Sequence, residues 1–107
     1  MMHDDFIRAV NEKKKVRVTF FSKEDNGILH RKCAPMDFGA SRRAKEKNER
    51  YHLWDYESDK NNHTISLSPQ QIQAIEILDE DFDPSEFVKW DVNQSPWHIQ
   101  RDWGVYS

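Results

Sequence analysis

The stretch from Lys15 to Pro35 constrains the architecture more than any other part of the chain. Val16, Val18 and Phe20 alternate with Arg17 and Thr19, the period-two pattern of a strand with one buried face. Lys23-Glu24-Asp25 leads into Asn26-Gly27, the strongest short hairpin signal, because both residues tolerate the left-handed backbone of a tight reversal. A return strand is predicted over residues 28–34, stopped by Pro35, which has no N–H to give a ladder. Further short strands are predicted at 36–41, 51–56, 63–67 and 72–78. Ser68-Pro69-Gln70-Gln71 reads as a single tight turn between the last two. In the last strand the spacing places Ile72, Ala74 and Glu76 on one face and Ile75 and Ile77 on the other.

Short helices are predicted at both ends of this run. Asp4-Asp5 cap one that carries Phe6, Ile7, Ala9 and Val10, and Asp83-Pro84 begins another with Phe87 and Val88 on one face. Many short strands at close spacing argue for closure, because closure removes exposed edges. The expected fold is mainly β: a small SH3-like barrel of about five strands with flanking short helices. One domain is expected over residues 1–89, followed by a tryptophan-rich tail over 90–107.

Composition bears on what that tail is for. Ile, Val, Leu and Phe together number only 23 of 107 residues, near the range where chains stop folding unaided. The 13 aromatic residues offset this, since each buries a large area. Trp90, Trp97 and Trp103 lie in the tail, which a free linker would avoid. The tail therefore either packs on its own domain or docks on a partner, with those tryptophans as the contacts.

Charge is divided along the chain. Residues 1–53 carry a net of +5 and residues 54–107 a net of −8, so the overall −3 says little about what either half binds. Arg42, Arg43, Lys45, Lys47 and Arg50 cluster in one stretch, and with Arg31 and Lys32 they would form a cationic ridge able to contact phosphates. Tyr51 beside it is the candidate base-stacking residue. The plainer alternatives are a solvated charged loop and, for Tyr51, Trp54 and Tyr56, simple core packing.

Other classes are not expected. No run approaches a membrane span, the first residues lack a signal-peptide pattern, and three glycines rule out a dinucleotide fingerprint. Cys33, the only cysteine, cannot form an internal disulfide, which suits a reducing cytoplasm. It reads as a small buried strand residue, since no local signature supplies a base or an oxyanion site. The five histidines show no ligand spacing. Asp79, Asp81 and Asp83 open like a calcium loop, but Pro84 and Trp90 stand where glycine and glutamate are needed. No metal, cofactor or catalytic site is expected.

In their order and spacing these pieces resemble the WYL domain family of bacterial regulators. The matching stretches are the helix around Phe6 and Val10, the strand Val16-Arg17-Val18-Thr19-Phe20-Phe21 and the segment Arg31-Lys32-Cys33-Ala34-Pro35. The strand Arg50-Tyr51-His52-Leu53-Trp54-Asp55-Tyr56, residues 64–78 and Asp81-Phe82-Asp83-Pro84 complete the match, which covers roughly residues 5–88. The resemblance implies an Sm-like barrel that senses ligands, nucleic acids or nucleotides, usually beside a DNA-binding helix-turn-helix. Arg31 matches the arginine ahead of the family's proline, here Pro35. The Trp-Tyr-Leu tripeptide itself is absent, with Arg50 ahead of Tyr51. Ser66 and Gln71 stand where the family often has arginines. The 107 residues leave no room for a helix-turn-helix, so a separate DNA-binding chain is an expected partner. The expected role is non-enzymatic, cytoplasmic regulatory binding of a nucleic acid or anionic ligand through Arg31, Lys32, Arg42, Arg43, Lys45, Lys47, Arg50 and Tyr51. The rival expectation is a protein–protein interaction module, in which the tail forms a homodimer or binds a larger assembly.

Overall fold

Asn26 reverses the chain. Its φ of 50° is left-handed, and it closes a four-residue loop between β1 (Lys14–Ser22) and β2 (Gly27–Ala40), whose last antiparallel pair is Ser22 with Gly27. A computed structural model describes residues 2–40, 48–57 and 63–107. Three further strands, β3 (Glu49–Asp55), β4 (His63–Leu67) and β5 (Ile72–Asp81), complete one antiparallel sheet in the order β4-β3-β2-β1-β5.

The sheet is not closed: among the described residues no ladder joins β4 to β5. These two outermost strands are nonetheless consecutive. Only Ser68 and the single 3-10 turn Pro69–Gln71 connect them, so the sheet must curl to bring its edges within reach. Gln71 fixes that turn, accepting from the Ser68 N–H at 3.0 Å while its side-chain amide donates to the Phe21 carbonyl at 3.1 Å.

Two bulges correct the predicted strands. Pro35 does not stop β2. The strand runs on to Ala40 through an irregularity between Pro35, opposite Leu53, and Asp37, opposite His52. Pairing with β1 has already ended at Cys33, so Pro35 removes no donor from that ladder, and bulges are where strand proline is tolerated. In β5 a shift between the partners of Thr19 and Phe20 inserts one extra residue. Ile72 therefore joins Ile75 and Ile77 on the face that meets Phe20, Val18 and Val16, rather than the opposite face. β5 also extends to Asp81, past the predicted end at Leu78.

The helix α1 (Met2–Glu12) is longer than expected, and Asp4 and Asp5 lie in its first turn, where acids suit the helix dipole. Lys13, with φ 55°, closes it in the left-handed conformation usual at a helix end. Phe6, Ala9 and Val10 are fully buried. The second predicted helix is one 3-10 turn, Pro84–Glu86, with the Asp83 carboxylate accepting from the Ser85 N–H at 3.0 Å.

The sheet is covered on both faces along the centre of β2. Inward-facing Val16, Val18, Cys33, Leu53 and Leu67 meet in the main core. On the other face Ala34 is fully buried and Trp54 stacks on Phe87 with ring centres 5.8 Å apart. The tail completes that second layer. Trp103 is 4% exposed, donates its indole N–H to the Val10 carbonyl at 2.8 Å, and meets Phe82 and Phe87 edge-on.

One carboxylate holds the tail. Asp37, at the β2 bulge, accepts from the backbone N–H groups of His98 and Ile99 at 2.9 Å each. It also pairs with Arg101 at 3.2 Å, and the Arg101 side chain is wholly covered. The Arg101 guanidinium lies between Trp97 and Trp103, 4.1 and 4.4 Å from their ring centres, and donates to the carbonyls of Met36 and Ile99. Burial holds its pKa down to about 10, against the pull of Asp37, so it stays charged at neutral pH.

Candidate functional site

The curled inner face is filled at one end and open at the other. α1 fills the end where Phe38 and Tyr51 lie: Phe6 packs edge-on against Tyr51, and the Tyr51 hydroxyl meets His3 Nδ1 at 2.7 Å. At the hairpin end a pocket of about 630 Å³ remains. Its apolar walls are Phe20, Leu29, Ile65 and Leu67, and the hairpin loop residues Lys23, Glu24 and Asp25 stand at its mouth. Ser22, His63, Ser66 and Gln71 supply further polar surface.

Strand alternation aims one cation into this pocket. Arg31 pairs across the ladder with buried Val18, so its side chain points inward, while Lys32 pairs with Arg17 and points outward. Asp55 faces inward from β3, beside Leu53 and opposite His63. The Arg31 Nε lies 3.6 Å from Asp55 Oδ2, with the two side chains 25% and 4% exposed. That separation is an ionic contact rather than a hydrogen bond. The other Asp55 oxygen accepts from the Glu57 N–H at 2.8 Å. Asp55 is thus fixed by the backbone and steers the guanidinium from its Nε side.

The mouth is also pre-set. Ser22 Oγ donates to Asp25 Oδ2 at 2.8 Å and accepts from the Asp25 N–H at 3.3 Å. On the outer face of β3, His52 Nε2 lies 2.9 Å from the Gly39 carbonyl, which can only accept, so that nitrogen carries the proton. In the neutral ring Nδ1 then accepts from the Ser66 hydroxyl at 2.7 Å. Gly39 is needed where it is, because a Cβ there would run into the His98 ring.

Of the residues expected to form one basic, aromatic surface, the described ones do not gather on one face. Lys32, on the outer face, pairs with Glu80 at 3.1 Å and holds that carboxyl below its usual range, and its backbone N–H donates to Glu57. Arg50 sits on β3 opposite Gly39. Tyr51 is 3% exposed, so its ring belongs to the core and offers no stacking platform; burial, then Glu49, raises its phenol pKa. Arg42, Arg43, Lys45 and Lys47 lie outside the described residues. Of the tail tryptophans, Trp103 is core, Trp97 is partly buried with its indole N–H on the Tyr106 carbonyl at 2.8 Å, and Trp90 is 39% exposed.

Asp55 and the apolar lining escaped the sequence reading. The signal was there for Asp55: the alternation Tyr51, Leu53, Asp55 puts a carboxylate at an inward position. Cys33, deeper on the same face, has its thiol pKa raised by burial and then by Asp55 and Glu57, which makes it a poor nucleophile. Among the described residues no group of three or more His, Cys, Asp or Glu is placed to hold a metal, and no helix is long and apolar enough to cross a membrane. Comparisons with family models, with curated proteins and with solved structures found no match to this chain.

Proposed function

We propose that this chain is a non-enzymatic ligand-binding module that takes a small anionic molecule into the pocket at the hairpin end of its sheet. Arg31 is the observation that carries the reading. It is the inward cation of an apolar-walled pocket of small-ligand size, held from one side by Asp55 so that its Nη donors remain for an anion. The resemblance to WYL domains favours the same residue and a regulatory role in a reducing cytoplasm, with the curled sheet as an open barrel of the Sm type. A DNA-binding chain would then be the partner that the bound ligand controls. A small ligand is favoured over a nucleic acid strand because Arg31 and Lys32 face opposite ways and Lys32 is already paired with Glu80. Docking through the tail is disfavoured because Trp103 is spent on the chain's own core.

Calorimetric titration of the full chain with a panel of small carboxylates and phosphates tests this. Arg31→Gln removes the charge and keeps a donor for Asp55, and it is expected to weaken binding about tenfold or more, the cost of a charge-assisted contact. Lys32→Gln is expected to change nothing. Equal losses in both variants, or binding of single-stranded DNA alone with a steep salt dependence, would instead favour the basic surface.

A further inference from the structure

We propose that the ligand of this pocket is a zwitterion, an apolar amino acid or short peptide, whose carboxylate meets Arg31 and whose ammonium group meets Glu24 and Asp25. The inference rests on the reading of Arg31 as the anion anchor and narrows it. Among the described residues, the charged side chains lining the pocket are Lys23 and Arg31 against Glu24, Asp25 and Asp55, a net of −1. They are also sorted by depth. Arg31 lies inside, while Glu24 and Asp25 are exposed on the loop at the mouth.

Among the described residues, a phosphate dianion drawn to Arg31 would have two carboxylates behind it and Lys23 alone to offset them, and a simple amine would be turned away by Arg31. A molecule that carries both an anion and a cation meets the opposite sign with each. The Ser22 contacts hold the Asp25 carboxylate in place before any ligand arrives, so little ordering cost remains there. Phe20, Leu29, Ile65 and Leu67 offer an apolar surface for the side chains of the ligand. The volume, about 630 Å³, admits a single amino acid or a dipeptide.

The test compares matched probes on the full chain by calorimetry: L-phenylalanine, L-leucyl-L-leucine, 3-phenylpropionate, which lacks the ammonium group, and 2-phenylethylamine, which lacks the carboxylate. One or both zwitterions are expected to bind about threefold to tenfold tighter than 3-phenylpropionate, in line with exposed ion pairs at the mouth. Whichever zwitterion binds tighter decides between the amino acid and the peptide. The double variant Glu24→Gln, Asp25→Asn is expected to erase that preference without weakening the binding of 3-phenylpropionate, whose affinity stays the same or rises because two carboxylates near the anion are gone. Both residues are exposed loop positions, and circular dichroism checks that the variant is folded. If 3-phenylpropionate binds as tightly as the zwitterions, the zwitterion proposal is overturned and Arg31 as anion anchor survives. If no carboxylate probe binds at about 10 mM, well above the range expected for a real site, both are overturned.

Discussion

Asp37→Ala is expected to destabilise the fold by about 3–5 kcal/mol, because it leaves the Arg101 guanidinium buried without a counter-charge. The Arg101 side chain has no exposed surface, and the carboxylate that balances it also accepts two backbone N–H groups of the tail. Losing one side chain therefore strands a charge and two donors together. Domains of this size are stable by about 5–15 kcal/mol, so the loss is a large share of the whole. The double variant Asp37→Leu, Arg101→Met removes both charges and is expected to recover part of the deficit. It will not recover all of it, because the two backbone donors stay unpaired. Urea unfolding followed by tryptophan fluorescence measures both variants, and a loss below about 1 kcal/mol for Asp37→Ala would show that the tail is not held this way.

Alkaline pH is expected to unfold the chain, beginning near the ordinary thiol pKa of 9.0 and steepening past the phenol value of 10.0. Cys33, Tyr51 and Tyr56 all have raised pKa values, with burial the first cause in each and neighbouring acids adding to it. An acid whose folded pKa lies above its unfolded value binds its proton more tightly when folded. Its contribution is fully present below the unfolded pKa and is lost as pH rises through the folded one. Arg101, held down to about 10 from 12.5, acts in the opposite sense over that interval, one group against three. A pH series of urea midpoints is expected to fall above about pH 9, with the tyrosinate absorbance of Tyr51 and Tyr56 rising only as the fold is lost. More than one of the three tyrosines ionising freely at about pH 10 in a folded chain would contradict the burial of Tyr51 and Tyr56.

The hairpin and the run of short strands along the chain were legible in the sequence, because alternation and Asn26-Gly27 are local signals. Bulges are not local in that sense. Nothing in Ile72-Gln73-Ala74-Ile75 announces that one residue will be skipped against β1, since the shift is selected by packing across the sheet. For the same reason Pro35 read as a stop, when its tolerance depends on β1 having already ended its pairing with β2. Tyr51 was ambiguous between core and surface until α1 was placed on it. Charge misled most. Arg31 and Lys32 adjoin in the chain, but strand geometry sends them to opposite faces, and only the ladder with Val18 and Arg17 shows which one enters a pocket. The role of Asp37 and Arg101 lay beyond reach, because the pair joins positions 64 residues apart through an irregular tail.

The most direct test of Arg31 as the anchor of a buried anion is a titration of isotope-labelled chain with 3-phenylpropionate, read by nuclear magnetic resonance at arginine and lysine side-chain groups and at methyl groups. The account predicts shifts at the Arg31 side chain and at Leu29, Ile65 and Leu67, with none at Lys32 or Arg50. Shifts confined to Lys32, Arg50 and residues 42–47, with Arg31 and the pocket methyl groups unmoved, would contradict it.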